Sequence, residues 1–160
     1  VNEFEMTVAL ALQSVDRLDE AESILRAVAS NRVSLGQETD PTLRRCRFYL
    51  GNLLLAAGRH AEADEVLSSL ISTEESRAAW TSFEIHQITR DRALARSRMG
   101  MTEGVQQDLE SSFLALRWAV GPRHREVRTA HEALLEHLDT TDRPEALRSW
   151  LDISGEPDTR

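Results

Sequence analysis

Histidine and glutamate residues near the end of the chain are arranged almost like the ligands of a zinc hydrolase. His131 is followed by Glu132, and a second histidine, His137, lies six residues after His131. The zinc motif needs two histidines four residues apart, because that spacing puts both imidazoles on one face of a helix. A spacing of six turns the two rings in different directions. The pattern therefore predicts no metal site, and we expect no other cofactor.

The remaining reactive side chains also lack the neighbours that catalysis requires. Cys46 is the only cysteine, and no histidine lies near it in the sequence. All 19 basic residues are arginines, which excludes Schiff-base chemistry by a lysine. No glycine-rich phosphate loop is present. The sequence thus predicts no catalytic residues and no enzyme activity.

Charge and hydropathy narrow the classes of partner and compartment. The net charge of -8 argues against general binding of nucleic acid or of an anionic membrane. No apolar run approaches the ~20 residues that a membrane span needs, and the first residues lack the basic start and apolar core of a signal peptide. The chain begins without methionine, within a helical pattern. We therefore interpret it as a piece of a larger cytoplasmic protein.

The elements that position these side chains follow a fixed period. Leu25, Leu67, Leu109 and Leu151 are 42 residues apart, and each ends a similar segment. Such a period is typical of stacked repeat proteins. It predicts a single array over residues 1–153. Its units are about 1–33, 34–75, 76–119 and 120–153, and a polar tail follows at 154–160.

Each period holds two helical patterns, which we call helix A and helix B. Apolar residues recur at steps of three and four, and no run of alternating β-branched residues predicts a strand. The fold class is therefore all-α. The predicted helices span about 2–15, 18–33, 42–57, 60–73, 77–99, 102–119, 126–139 and 144–153. The third unit is the poorest copy, because Arg92 and Arg96 stand where other units have leucines.

Several of these residues resemble the tetratricopeptide repeat (TPR). In segment 50–54 the small residue Gly51 occupies the position at which helix A meets a small residue of helix B, here Ala63. The 42-residue period and segment 120–125 resemble the kinesin-light-chain type of this repeat. The resemblance implies a right-handed α-solenoid of four helix-turn-helix units. Such arrays bind peptides or extended segments of partners on a concave face lined by the A helices.

The resemblance also places the candidate binding residues. Taking Gly51 as the packing position, the partner-facing residues of the second unit are Arg45, Phe48, Tyr49 and Asn52. Their counterparts 42 residues later are Gln87, Arg90, Asp91 and Leu94. Asn52 stands where the family often has an asparagine that binds the peptide backbone. The arginines at 44–47 and 90–98 predict that the groove takes an acidic segment, since guanidinium groups bind carboxylates in pairs of hydrogen bonds.

Plainer interpretations of the same residues stay open. Phe48 and Tyr49 can equally pack against a neighbouring helix, and arginines on a helix face are usually solvated. Trp80, Trp118 and Trp150 lie near helix ends, where we expect them to serve packing.

The main functional hypothesis is a protein-interaction scaffold that binds a peptide or partner segment. One alternative is a domain that regulates an attached serine/threonine kinase or transcriptional regulator. Another is a structural array that self-associates into a homo-oligomer through an uncapped end.

Overall fold

The computed structural model describes residues 2–37, 40–146 and 149–150, which form helices, turns and loops without a strand. The chain divides into two compact units, Val1–Trp80 and Thr81–Arg160. The first unit holds α1 (Asn2–Ser14), α2 (Leu18–Ser34), α3 (Pro41–Ala56), α4 (His60–Ile71) and α5 (Glu74–Ala78). The second holds α6 (Ser82–Arg98), α7 (Val105–Val120) and α8 (Arg125–Thr140). Within these described residues, no helix is both long and apolar enough to span a membrane.

The 42-residue period is visible in the backbone as a repeated helix ending. Asp16, Gly58, Gly100 and Asp142 all adopt a left-handed conformation, with φ between 53° and 79°. In each case the next residue donates its N–H to a carbonyl near the end of the preceding helix. These carbonyls belong to Leu12, Leu54, Arg96 and Leu138, at 2.9 to 3.1 Å. This is the Schellman ending, which satisfies carbonyls that the helix leaves without partners.

Both units bury the leucine that marks the period. Leu25, Leu67 and Leu109 are at most 1% exposed, whereas Leu151 lies outside the described residues. In the first unit, α3 and α4 approach closely at Gly51. A Cβ atom built on Gly51 would lie 2.6 Å from Leu67 Cδ2 and 2.7 Å from Leu67 Cγ. Only glycine fits there without a shift of Leu67.

Cys46 joins α2 to α3 at the centre of the first unit. Its side chain is fully buried, and its Sγ donates a hydrogen bond to the carbonyl oxygen of Leu25 at 3.0 Å. Burial raises the pKa of the thiol to about 11. The group therefore stays protonated at neutral pH and serves packing.

The predicted helix over 77–99 is wrong at its start, because α6 begins only at Ser82. Thr81 Oγ1 accepts the N–H of Glu84 at 3.3 Å, and Glu84 Oε2 accepts the N–H of Thr81 at 2.8 Å. This reciprocal cap fixes the first turn of α6. A second such cap, between Thr73 and Ser76, starts the short helix α5, which the periodicity did not predict.

The three tryptophans differ in exposure. The indole of Trp80 donates its Nε1–H to the carbonyl oxygen of Leu70 at 3.2 Å, and Trp150 packs edge-on against Phe113 with ring centroids 5.3 Å apart. Both serve packing, as predicted. Trp118 is 92% exposed, so its predicted packing role is wrong. It lies on the side of α7 opposite to the buried Leu116 and Phe113.

Candidate partner-binding surface

The start of α3 is fixed by an N-cap. Asp40 Oδ1 accepts the N–H of Thr42 at 2.6 Å, and Pro41 occupies the first helical position. Arg32 Nη1 lies 3.2 Å from Asp40 Oδ2. The hydrogen bond from Thr42 is the main reason that the pKa of Asp40 lies below its usual range. A charged N-cap of this kind fixes where α3 begins and stabilises its first turn.

Four of the predicted site residues share one side of α3, and none of them is among its buried residues. We call this side the α3 face. Arg45, Phe48, Tyr49 and Asn52 are spaced at three, four and seven residues and so lie on one side of the helix. Arg45 is exposed, and the other three are half-buried. No ion pair or hydrogen bond of the Arg45 side chain is found among the described residues.

The two aromatic rings of the α3 face are held by a third ring. Phe48 and Tyr49 have centroids 5.8 Å apart, and Phe48 meets Trp80 edge-on at 6.1 Å. The bond from Trp80 to Leu70 fixes this third ring against the end of α4. Trp80 is not among the predicted site residues, since the pattern put it at the start of a helix over 77–99, whereas it lies between α5 and α6 in the sequence. Phe48, Tyr49 and Trp80 form what we call the aromatic cluster.

Asn52 carries an unused hydrogen-bonding group at the end of the α3 face. Its Oδ1 is covered by neighbouring atoms and receives no hydrogen bond from the described residues. A covered acceptor without a donor costs on the order of 1–3 kcal/mol. A donor brought by a partner would remove that cost after a rotation of the side chain.

The predicted site residues of α6 are placed differently. Arg90 is 5% exposed and Leu94 is 9% exposed, so neither presents its side chain to a partner, and this part of the prediction is wrong. Gln87 is half-buried and hydrogen-bonds the carboxylate of Glu126. These three residues belong to the interior and edge of the second unit.

Arg90 forms a buried ion cluster with Asp91 and Glu126. Its Nε lies 2.7 Å from Asp91 Oδ1, and its Nη1 lies 2.7 Å from Glu126 Oε2. Burial raises the pKa of Asp91, whose Oδ2 has no hydrogen-bond partner among the described residues. Burial also acts to raise the pKa of Glu126, but hydrogen bonds from Arg90, Gln87 and Arg125 lower it to about 2. The guanidinium is therefore committed to holding α6 against α8.

Two other arginines of α6 are also paired within the second unit. Arg92 Nη2 lies 2.9 Å from Asp108 Oδ2, and Arg98 Nε lies 2.7 Å from Glu136 Oε1. Together with the buried ion cluster, these pairs neutralise the positive strip that the sequence predicted at residues 90–98. Among the described residues, an arginine without an ion pair is available to an acidic partner on the α3 face, at Arg45, but not on this part of α6.

The two histidines of the zinc-like pattern have separate structural contacts. His131 Nε2 lies 2.8 Å from the carbonyl oxygen of Trp150, whereas His137 Nδ1 lies 2.8 Å from Ser97 Oγ. No group of three or more potential metal ligands is found in the described part of the chain. His137 is 1% exposed, and its burial, with the nearby charge of Arg143, lowers its pKa below the usual 6.5.

Acidification should therefore destabilise the second unit through His137. As the pH falls through 6.5, the unfolded chain takes up a proton on this residue, but the folded chain does so only at a lower pH. The free energy of unfolding then decreases as the pH falls below about 6.5, because the unfolded state binds more protons than the folded state. Urea unfolding followed by fluorescence at about pH 7.5 and about pH 5.5 measures this loss.

The matched variant is His137→Gln, which keeps a hydrogen-bonding side chain without a titratable ring. We expect its free energy of unfolding to change less between the two pH values than that of the wild type. Equal changes in the two proteins would contradict the assignment to His137.

Comparison with known proteins gives a similar fold without a similar sequence. No family model matches the sequence, and no curated protein matches it. A crystal structure of nearly identical TPR-like repeats, described as kinesin light chain of Podosopora anserina, is similar with a TM-score of 0.73 and 15% sequence identity. The match covers 96% of this chain and 72% of that chain. It confirms the predicted fold class, an all-α TPR-like repeat.

Proposed function

We propose that this chain is a protein-interaction module that binds an extended segment of a partner on the α3 face. The observation that carries the proposal is the combination on one side of one helix. Arg45 and the amide oxygen of Asn52, neither with a partner among the described residues, lie within two turns of α3 together with the two rings that Trp80 holds in place. Tyrosine and arginine are enriched among the residues that dominate binding energy at interfaces.

The chemistry of these groups defines the bound segment. A carboxylate of the partner pairs with the guanidinium of Arg45, and an apolar side chain packs on Tyr49 and Phe48. A backbone N–H of the segment donates to Asn52 Oδ1. Because Trp80 and the helix hold the aromatic rings in place, little conformational entropy is lost when the segment binds.

Peptide selection tests this proposal directly. Random peptides displayed on phage and selected on the whole 160-residue chain should be enriched in an aspartate or glutamate close to an apolar residue. We expect Arg45→Ala and Tyr49→Ala each to weaken binding of the selected peptides about tenfold, as is usual for interface residues of this type. Fluorescence anisotropy with the labelled peptides measures the dissociation constants.

The control is Arg128→Ala, an exposed arginine on α8 in the other unit. It should leave the dissociation constant unchanged. Rising salt should weaken binding to the wild type more than binding to Arg45→Ala, because the screened ion pair is already absent from the variant. Selected peptides that bind both α3 variants as tightly as the wild type would refute the α3 face as the binding surface.

A further inference from the structure

Two depressions in the first unit occupy equivalent positions of the repeat. One lies on α3 and α4, has a volume of about 440 Å³ and is lined by Leu50 and Val66 among others. The other lies on α1 and α2, has a volume of about 300 Å³ and is lined by Val8 and Ile24 among others. Val8 and Ile24 stand 42 residues before Leu50 and Val66. The same surface is therefore built twice, once by each helix pair.

The two depressions differ in one wall. In the depression on α3 and α4, that wall is supplied by α2 through Arg26 and Ala29. In the depression on α1 and α2, all lining residues belong to those two helices. We call this second surface the α1/α2 face. It has the shape of a helix-docking surface without the docked helix among the described residues.

The residue equivalent to Cys46 shows what is left uncovered. Cys46 is fully buried because α2 lies on it, with Sγ bonded to the carbonyl oxygen of Leu25. The residue 42 positions earlier is Phe4, and its side chain is 73% exposed. A large aromatic ring thus stands in water where the repeat places a buried side chain. Covering it with a helix would remove a substantial apolar area from solvent.

One pair of charges beside the two depressions corresponds in the same way, although the lining residues Glu5 and Arg47, which are also 42 positions apart, have opposite charges. Arg59 bonds Glu62 of its own helix pair at 2.6 Å and also Glu22 of α2 at 2.6 Å. Arg26 of α2 lies 3.7 Å from Glu62. The equivalents of Arg59 and Glu62 on the first helix pair are Arg17 and Glu20, which bond each other. Their side chains are both 56% exposed and have no docked helix to pair with.

The helix that covers α3 and α4 is α2, and its residues indicate which helix would fit the α1/α2 face. α2 offers the acid Glu22 to Arg59 and the base Arg26 to Glu62. These two residues of α2 are four apart and lie on one side of the helix. A small residue, Ala29, follows three positions after Arg26 and lines the depression.

We propose that the α1/α2 face docks an α-helix of a partner protein that carries an acid, a base four residues later and a small apolar residue three positions after the base. The acid pairs with Arg17 and the base with Glu20, while the apolar side of the helix covers Phe4 and Val8. This surface is separate from the α3 face, so each can fail without the other.

The probe is a peptide of residues 18–34, the sequence of α2 itself, made helical by a side-chain crosslink away from Glu22 and Arg26. Fluorescence anisotropy measures its binding to the whole chain. We expect Phe4→Ala and Glu20→Arg each to weaken binding about tenfold. A peptide with Arg26→Glu should bind Glu20→Arg more tightly than it binds the wild type, since the restored charge pair has the reverse sign.

The controls and contrary outcomes are equally specific. Trp118→Ala and Glu132→Arg alter exposed side chains of the other unit and should leave binding unchanged. If Glu62→Arg weakens binding and Glu20→Arg does not, the peptide is displacing α2, and the proposal is wrong. It is also wrong if the peptide does not bind, or if sedimentation shows that the chain self-associates through Phe4, which would make a second copy the occupant.

Discussion

Replacing Arg90 by methionine should destabilise the second unit by about 3–5 kcal/mol, the usual cost of removing one partner of a buried ion pair. Methionine keeps most of the side-chain length but leaves the carboxylates of Asp91 and Glu126 facing each other. The side chains of these two acids are 6% and 12% exposed, so water stabilises their charges poorly. One of them must take up a proton or the site must open, and both responses reduce the free energy of unfolding.

Urea unfolding followed by tryptophan fluorescence measures this effect, because Trp150 reports on the second unit and Trp80 on the first. The matched control is Arg128→Met on α8, an exposed position where the change should stay within about 0.5 kcal/mol. Replacing all three charged residues by apolar side chains of similar size should recover most of the lost stability, since no charge is then left buried. An Arg90→Met protein that loses less than about 1 kcal/mol would show that the ion cluster is not a major source of stability.

Replacing Gly51 should destabilise the first unit in proportion to the size of the new side chain. In an open helix, alanine would be favoured over glycine by about 1 kcal/mol. At Gly51 a Cβ atom would lie 2.7 Å from Leu67 Cγ, which is the branch point of a fully buried side chain and not a free end. Overpacking of this kind costs about 1–3 kcal/mol. We expect Gly51→Ala to be destabilising by about 1 kcal/mol and Gly51→Val by more than about 3 kcal/mol.

A double-mutant cycle with Leu67→Ala separates the contact from other effects. Leu67→Ala alone leaves a cavity, but in that background the methyl group of Gly51→Ala has room, and its effect should become neutral or stabilising. Ala11→Val, on an exposed position of α1, measures the cost of a bulkier helical residue without close contact. Thermal unfolding by circular dichroism gives each free energy. If Gly51→Ala stabilises the wild-type protein, the tight approach of α3 and α4 is refuted.

Features that recur along the sequence were predictable from the sequence. The period fixes the positions of Leu25, Leu67 and Leu109, and the residues that end each first helix repeat with it, so helix number and register in most of the chain followed from spacing alone. The TPR-like fold class followed from the same pattern and from the small residue at Gly51, because close helix packing demands that residue type at that position.

Features that leave no trace in the apolar period were not predictable. Arg90 and Asp91 look like surface residues in a local pattern, and their burial depends on Glu126, which lies 36 residues further along the chain. Trp118 looks like a packing residue by its type, yet 92% of it is exposed. The short helix α5 is started by the local cap of Thr73 and Ser76, which apolar periodicity does not reveal. The last predicted helix is described only in part, and the predicted tail at 154–160 lies outside the described residues.

Cys46 gives this chain a built-in reporter of its own opening. A thiol reagent cannot reach a fully buried sulfur whose proton is held by the backbone of α2, and its pKa of about 11 leaves almost no thiolate to react. Modification therefore requires α2 and α3 to separate first. Because no other cysteine is present, the labelling rate reports on this separation alone, without any engineered probe.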